Sequence, residues 1–193
     1  MILVAACGGS TSKSSSPTTG PSGVGSNGAT TTAGGPGTTI HVAKVASDTP
    51  SESAKLICTN EAKSDIFNSA LGVDTTTPLK PVWDLPTHTY SCVYHYPNNA
   101  YMTLSVHEMS SKEETDAYYD KLAQDLGKVS TFTVPGSQGA FQTKNGSAVV
   151  RKDYKVLLVD MSHVPASFGV PADTRAHDSA NVAFTILGCW TGA

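Results

Sequence analysis

The chain has little charge, and in particular it lacks a surplus of basic residues. Its 193 residues include 13 Lys+Arg and 16 Asp+Glu. A protein that binds nucleic acid by neutralising phosphates needs an excess of positive charge, so we expect no nucleic-acid partner. No run of about 18 apolar residues occurs, so nothing in the given sequence is expected to span a bilayer as a helix.

Motifs that carry catalysis or hold a cofactor are also missing. Pro135 stands where a nucleophile-elbow motif around Ser137 would need glycine, so this stretch predicts a turn instead. No glycine-rich loop ends in the Lys-Ser/Thr pair of a phosphate-binding loop, and no C-x-x-C occurs. We therefore expect no catalytic residue, no cofactor and no metal, and we interpret the chain as a protein that is not an enzyme.

A low-complexity block is the first feature that the sequence does have. Between Gly8 and Ile40, 27 of 33 residues are Gly, Ser, Thr or Pro, a composition that cannot bury a core. We predict a disordered linker over residues 8–52, with an r.m.s. length of about 35–40 Å. A short apolar-polar alternation at 40–45 is an alternative edge strand inside it. Residues 53–193 then form one folded domain.

The block is preceded by Ala5-Ala6-Cys7, with Leu3 and Val4 before it. This resembles a bacterial lipobox, in which small residues precede a cysteine that is lipidated and becomes N-terminal after cleavage. We predict that Cys7 is the lipidation site and that residues 1–7 are the remnant of a signal peptide whose basic and apolar parts lie upstream. Acyl chains would then anchor the protein at the cell membrane, on the extracytoplasmic side. The alternative is a cytosolic protein with a chance Ala-Ala-Cys.

Periodicity in the domain predicts helices separated by strands. Thr59 and Gly72 suit the two ends of a first helix, and Ser111 with Glu114 forms a capping box that begins a second. Tyr119, Leu122, Ala123 and Leu126 give the second helix an apolar stripe. Ala180, Ala183, Phe184 and Leu187 give a stripe to a last helix over 176–187.

Strands fill the segments between these helices. The alternation over 89–96 predicts a strand that turns at Pro97-Asn98-Asn99, and Asn145-Gly146 predicts a second hairpin. The apolar run within Tyr154–Met161 indicates a central strand buried on both faces. We predict an α+β domain, an antiparallel sheet with helices on one face, in the order αβββ-αβββ-α.

Three cysteines remain in the domain once Cys7 is assigned to lipid. In an oxidising compartment two of them are expected to pair. Cys58 stands at the beginning of the first helix and Cys92 in the strand predicted to pack beneath it, so we favour a Cys58–Cys92 disulfide. The pairing Cys58–Cys189 is the alternative.

A family resemblance rests on several of these residues together. They are the lipobox and linker, Ile57-Cys58-Thr59, Tyr90-Ser91-Cys92-Val93-Tyr94, the loop over 135–141 and the ending over 187–192. The chain resembles uncharacterised actinobacterial membrane lipoproteins over roughly 55–193. The resemblance implies a small extracytoplasmic α+β domain, close to PsbP/Mog1-like folds, and it implies no catalytic residue.

The candidate sites are an aromatic group and a histidine pair. Five aromatic residues crowd one hairpin region and are a candidate binding surface, with filling of the core as the alternative: Trp83, Tyr90, Tyr94, Tyr96 and Tyr101. His95 and His107 would hold a metal with Glu108 or Asp84 if the turn made them cross-strand neighbours, although solvated histidines are the simpler interpretation.

Two functions follow from these patterns. The first is a lipid-anchored binding module of the cell envelope, whose partner is a small ligand, a cell-wall component or an envelope protein. The second is an envelope enzyme with a metal-assisted hydrolytic site at His95 and His107. A cavity beside Tyr94 and Tyr96 would favour the first.

Overall fold

The computed structural model of the chain describes residues 46–190. Its helices are α1 (Glu52–Lys55), α2 (Asn60–Ile66), α3 (Lys112–Asp125) and α4 (Arg175–Gly188). Single 3-10 turns lie at Leu56–Cys58 and Pro97–Asn99, and a π turn at Phe67–Leu71 continues α2. None of the helices in this part of the chain is long and apolar enough to cross a membrane.

Seven strands form one antiparallel sheet in the order β1-β2-β3-β7-β6-β5-β4. The predicted α+β class and the antiparallel sheet are confirmed. The strands are β1 (Val82–Asp84), β2 (Thr89–His95), β3 (Tyr101–Glu108), β4 (Lys128–Thr131), β5 (Gly139–Thr143), β6 (Ala148–Lys152) and β7 (Lys155–Asp160). A separate two-stranded hairpin joins β8 (Ser167–Phe168) to β9 (Asp173–Thr174).

The second half of the predicted order αβββ-αβββ-α is wrong. Four sheet strands, β4 to β7, lie between α3 and α4, and the β8–β9 hairpin follows them. Strand signals lie near 130–134, 140–143, 148–151 and 154–161, so the predicted order omits one of four strands, and the first of them is the exposed edge strand β4, which pairs with β5.

Helices cover both faces of the sheet, not one as predicted. Ala148 and Val150 of β6 pack in a core with α2 and α4, whereas Val149 packs in a second core with α3. Successive side chains of a strand point to opposite faces. Because β5, β6 and β7 are apolar on both faces, each face needs its own helical layer.

The ends of the helices follow the predicted capping signals. The Thr59 hydroxyl accepts from Ala62 N–H at 3.0 Å, and the Ser111 hydroxyl accepts from Glu114 N–H at 3.1 Å. Gly72 ends the first helical segment at φ 61°, where a Cβ would lie 2.3 Å from the Val170 carbonyl oxygen. The predicted caps at Thr59, Ser111 and Gly72 are therefore confirmed, while the Glu114 carboxylate accepts from Ser110 N–H at 2.9 Å, one residue before the partner that a capping box requires.

The buried stripe of α4 is rotated from the predicted one. Val182, Ala183, Ile186 and Leu187 are buried, while Phe184 is 42% exposed. The aliphatic side of α4 packs on the sheet, and Phe184 lies against Phe132 at the domain surface instead. The predicted α3 stripe is confirmed by its packing against Phe141, Val149 and Val156.

Contacts with the domain begin earlier than the predicted boundary at residue 53. Ala46 N–H donates to the Met109 carbonyl at 3.0 Å, and Ser51 is buried against Glu108. Residues 46–52 therefore pack on the sheet, although the linker was expected to extend to 52. The predictions for Cys7, for the rest of the linker and for the strand at 40–45 lie outside the described residues.

Candidate functional site

A cleft of about 550 Å³ lies along the outer half of β2. β1 pairs with β2 at three positions that end at Val82 opposite Ser91. Six residues before Val82, the chain contacts β2 once more at Thr76, whose N–H donates to the His95 carbonyl at 2.8 Å. Five residues, 77–81, therefore span the stretch that three residues span on β2, and the additional length leaves the sheet.

The two prolines in this bulge explain why pairing stops there. Pro78 and Pro81 have no N–H to donate to a sheet ladder, so the chain leaves the edge of β2 between them. The bulge forms one wall of the cleft and β2 forms the other. The lining residues are Thr76, Thr77, Pro78, Lys80, Val82, Val93, His95, Tyr96 and Asn99.

The sheet face next to the cleft is open and largely polar. α3 covers β6 and β7 and reaches β3 where Tyr118 stacks on His107, with ring centroids 4.1 Å apart. Beyond that point the side chains of β2 and β3 on this face are only half-buried: Ser91, Val93, Thr103 and Ser105. The cleft therefore opens beside a surface on which no helix packs within residues 46–190.

The five predicted aromatic residues do not form one surface. Tyr90, Tyr94 and Tyr96 are buried in the core between the sheet and α2 and α4. The Tyr94 hydroxyl donates to the Ile57 carbonyl at 2.6 Å. Even-numbered residues of β2 face the helices, so their aromatic side chains are structural. This corrects the predicted surface in favour of core filling for these three.

The other two aromatic residues have separate environments. Trp83 packs partly against the same core, and its indole N–H donates to the Asp48 carbonyl at 3.1 Å. Tyr101 lies on the opposite sheet face and stacks on His163, with ring centroids 4.2 Å apart. Among the five, Tyr96 is the one that lines the cleft, although it is only 3% exposed.

Tyr96 carries an unpartnered polar atom into the core beside the cleft. Its hydroxyl is buried and has no hydrogen-bond partner among residues 46–190. Burial, and then the charges of Asp74 and Asp178, raise the pKa of Tyr96 far above its ordinary value. The hydroxyl therefore stays protonated, and it is a neutral group within the core.

The expectation that His95 and His107 are cross-strand neighbours is wrong. His95 lies opposite Tyr101 and His107 opposite Thr89. They are six residues apart along the hairpin, a separation of about 20 Å at the usual rise of a strand. His107 Nδ1 lies 2.9 Å from the Thr89 hydroxyl, and burial lowers the pKa of His107.

The proposed third metal ligands are also engaged elsewhere. Glu108 is buried and accepts from the backbone N–H of Ser51 at 3.1 Å, and Asp84 accepts from the Thr87 hydroxyl at 2.7 Å. Within residues 46–190 no group of three or more His, Cys, Asp or Glu side chains could hold a metal ion.

Cys58 and Cys92 contact each other, and both are free thiols. The hydrogen bond to Cys92, followed by burial, raises the pKa of the Cys58 thiol far above its ordinary value. The pKa of Cys92 is lowered, first by Cys58 and then by the backbone N–H groups of Lys80 and Val93. The disulfide between them stays a prediction.

A second, smaller cleft of about 180 Å³ lies beside α3. Its two cations, Lys112 and Arg151, both form ion pairs with Asp116. Arg151 also lies over the Tyr119 ring, 5.2 Å from its centroid. Because these charges are already paired within the protein, the cluster holds α3 to β6 and offers little to a ligand.

Sequence patterns missed the cleft because its lining combines an irregular loop, two strands and a turn that no single motif joins. Lys80 and Thr77 belong to no motif, and Asn99 carries only a turn signal. The pair Pro78 and Pro81 was the available signal, since two prolines three residues apart predict a break in edge pairing.

Comparison with known proteins adds no relative: no protein-family model, no curated protein and no solved structure matches the chain.

Proposed function

We propose that the chain is a lipid-anchored binding protein of the cell envelope, whose domain takes up a ligand through the cleft along β2. The observation that carries this proposal is the cleft itself. Its volume, about 550 Å³, lies within the range of small-molecule sites. It combines apolar walls with a few polar groups, which is the usual chemistry of such sites.

Binding is favoured over catalysis by the arrangement of the titratable groups. The hydrolytic alternative required His95 and His107 together, and the register of β2 and β3 separates them along the hairpin. His95 is the one histidine that lines the cleft within residues 46–190, and no carboxylate lines it with His95. The cleft therefore lacks the paired acid and base that a hydrolytic site uses.

The envelope location rests on Cys7 and the residues around it. A lipobox followed by a long Gly/Ser/Thr linker is typical of a domain held away from a membrane surface. The resemblance to actinobacterial lipoproteins supports the same location. No partner follows from this placement alone, so a small ligand, a cell-wall component and an envelope protein all remain within the proposal.

Filling the cleft tests the binding proposal. Val82 is 57% exposed on edge strand β1 and lines the cleft, while Val129 is 60% exposed on β4 at the other sheet edge. We expect Val82→Trp to abolish fragment binding measured by amide NMR shifts at Val93 and His95, because the indole would occupy the cleft. Val129→Trp is the matched control and should leave those shifts unchanged.

The opposite result would overturn the proposal. If fragments perturb no amide of β2 in the wild-type chain, or if both tryptophan variants bind them equally, then the cleft is not the binding site. Far-UV circular dichroism of both variants shows whether each is folded, so lost binding is separated from lost structure.

A further inference from the structure

The chemistry of the cleft narrows the class of ligand. Resting on the proposed function, we propose that the cleft binds a small organic anion, in which a carboxylate or phosphate group is joined to an apolar part. Lys80 and His95 would receive the anionic group, and Val82 and Val93 would contact the apolar part.

Charge distinguishes this cleft from its surroundings. Lys80 is exposed and forms no ion pair with a carboxylate in residues 46–190. No Asp or Glu of that part of the chain lines the cleft. The whole chain carries a formal charge of −3, so a lining with one cation and no carboxylate is opposite in sign to the protein average.

Competition from nearby acidic residues is also low. Asp74 lies three residues from the lining residue Thr77, but its carboxylate is paired with Lys63 at 3.1 Å. It also accepts from Thr75 N–H at 2.7 Å. The hydrogen bond from Lys63, followed by that from Thr75, lowers the pKa of Asp74, so the acid stays ionised and partnered on the Lys63 side. Asp74 therefore pairs with Lys63 and not with Lys80.

The smaller cleft beside α3 provides an internal comparison. It also contains lysine and arginine side chains, but Asp116 pairs with both of them. An ionic ligand there would have to displace an existing ion pair, whereas a ligand at Lys80 would not. A cation that is already paired within the protein is less available to a ligand than an unpaired one at a cleft.

Size and polarity indicate more than an inorganic ion. A volume of about 550 Å³ holds far more than one phosphate group. Val82 is exposed beside Pro78 and Val93, which gives the anionic end an adjoining apolar wall. Thr77 and Asn99 add neutral donors that suit either carboxylate or phosphate oxygens. These groups together match an anion that carries a hydrocarbon portion.

Titration with matched octyl compounds tests the proposal on the full chain. Octanoate and octyl phosphate carry the two candidate anions, octylamine carries the opposite charge on the same alkyl chain, and inorganic phosphate lacks the alkyl chain. We expect both octyl anions to shift the amides of Val93 and His95, with octylamine and inorganic phosphate at least about tenfold weaker. The stronger of the two anions identifies the preferred group.

Two lysine variants separate a specific contact from general charge. Lys80→Gln should weaken binding of the octyl anions about five- to tenfold, which is the size expected for one charge-assisted contact. Lys144 is an exposed lysine on the turn after β5 and does not line the cleft, so Lys144→Gln should leave binding unchanged. Val82→Ser should weaken the octyl anions without changing the weak binding of inorganic phosphate.

Two results overturn the inference in different ways. If octylamine shifts the same amides as strongly as octanoate, or if Lys144→Gln weakens the anions as much as Lys80→Gln, the cleft binds ligands but does not select anions. If none of these probes and no other fragment perturbs β2, the proposed function fails together with the inference.

Discussion

The carboxyl group of Asp178 lies in the first turn of α4 and is 2% exposed. Its Oδ2 atom has no hydrogen-bond partner within residues 46–190. Burial, and then the charge of Asp173, raise the pKa of Asp178 to about 6, while His177 opposes the shift. The charged form is therefore the unfavourable one in the folded protein.

The sign of the resulting pH dependence follows from proton binding. An unfolded Asp titrates near 3.8 and the folded one near 6, so the folded state holds the proton more tightly. Asp178 thus stabilises the fold below about pH 4, and this contribution is lost as pH rises to about 6. A shift of this size corresponds to about 2–3 kcal/mol.

Asp178→Asn should remove most of the loss of folding stability between about pH 4 and pH 6. We expect the variant to be more stable than the wild type at pH 7 by about 1–3 kcal/mol, because no charge is buried. Urea unfolding between pH 4 and pH 7 measures the effect, with Asp120→Asn on the exposed side of α3 as the control. A wild-type fall in stability that persists in Asp178→Asn would show that another group causes it.

Ser51 and Glu108, unlike Asp178, form a buried pair of hydrogen-bonded polar side chains. Glu108 accepts from both the backbone N–H and the hydroxyl of Ser51, 57 residues away. The carboxylate thereby caps the beginning of α1 and fixes the point at which the N-terminal segment meets the sheet. No local pattern predicts such a contact, which explains why the expected linker boundary fell after Ser51.

Among the secondary-structure elements, the junction of α2 with β2 contains the thiol pair. Cys58 ends the 3-10 turn before Thr59, and its thiol donates to the Ser91 carbonyl at 3.5 Å. Cys92 projects toward it from the helix-facing side of β2. This contact supports the favoured pairing over Cys58–Cys189, because Cys58 already has Cys92 as its thiol neighbour.

We predict that oxidation in a glutathione redox buffer joins Cys58 to Cys92. The bond would close a loop of about 34 residues and stabilise the fold by about 3–4 kcal/mol on the chain-entropy model. Peptide mapping of the unreduced protein identifies the pair, and denaturant unfolding with and without reductant measures the gain. Recovery of a Cys58–Cys189 peptide, or an equal gain in a Cys58→Ser, Cys92→Ser variant, would contradict it.

The elements also show how far local sequence signals extend. Thr59, Ser111 and Gly72 act within one helical turn, so their positions were predictable from neighbouring residues. The placement of α3 against Val149 and α4 against Val150 depends on how β5 to β7 pair, which is a long-range property. The apolar run in β7 requires two covered faces, which is consistent with helices on both sides of the sheet rather than on one.

At the scale of the whole domain, the sheet has two contrasting edges. β4 ends one edge as an exposed strand, while β1 ends the other after only three paired positions. The cleft exists because β1 is shorter than β2. The lining residues could not be identified as one site from the sequence. The cleft depends on where the pairing of β1 with β2 stops and on the side to which the bulge projects.

The proposed membrane anchor concerns the complete chain and has its own test. We expect the natural gene product to fractionate with membranes, to accumulate as a precursor when globomycin blocks lipoprotein processing, and to lose membrane association in Cys7→Ala. Cys58→Ala is the matched control and should remain with the membrane, because its thiol lies inside the folded domain. A wild-type product that is soluble and unprocessed would exclude the anchor, while leaving ligand binding at β2 to be judged on the titrations alone.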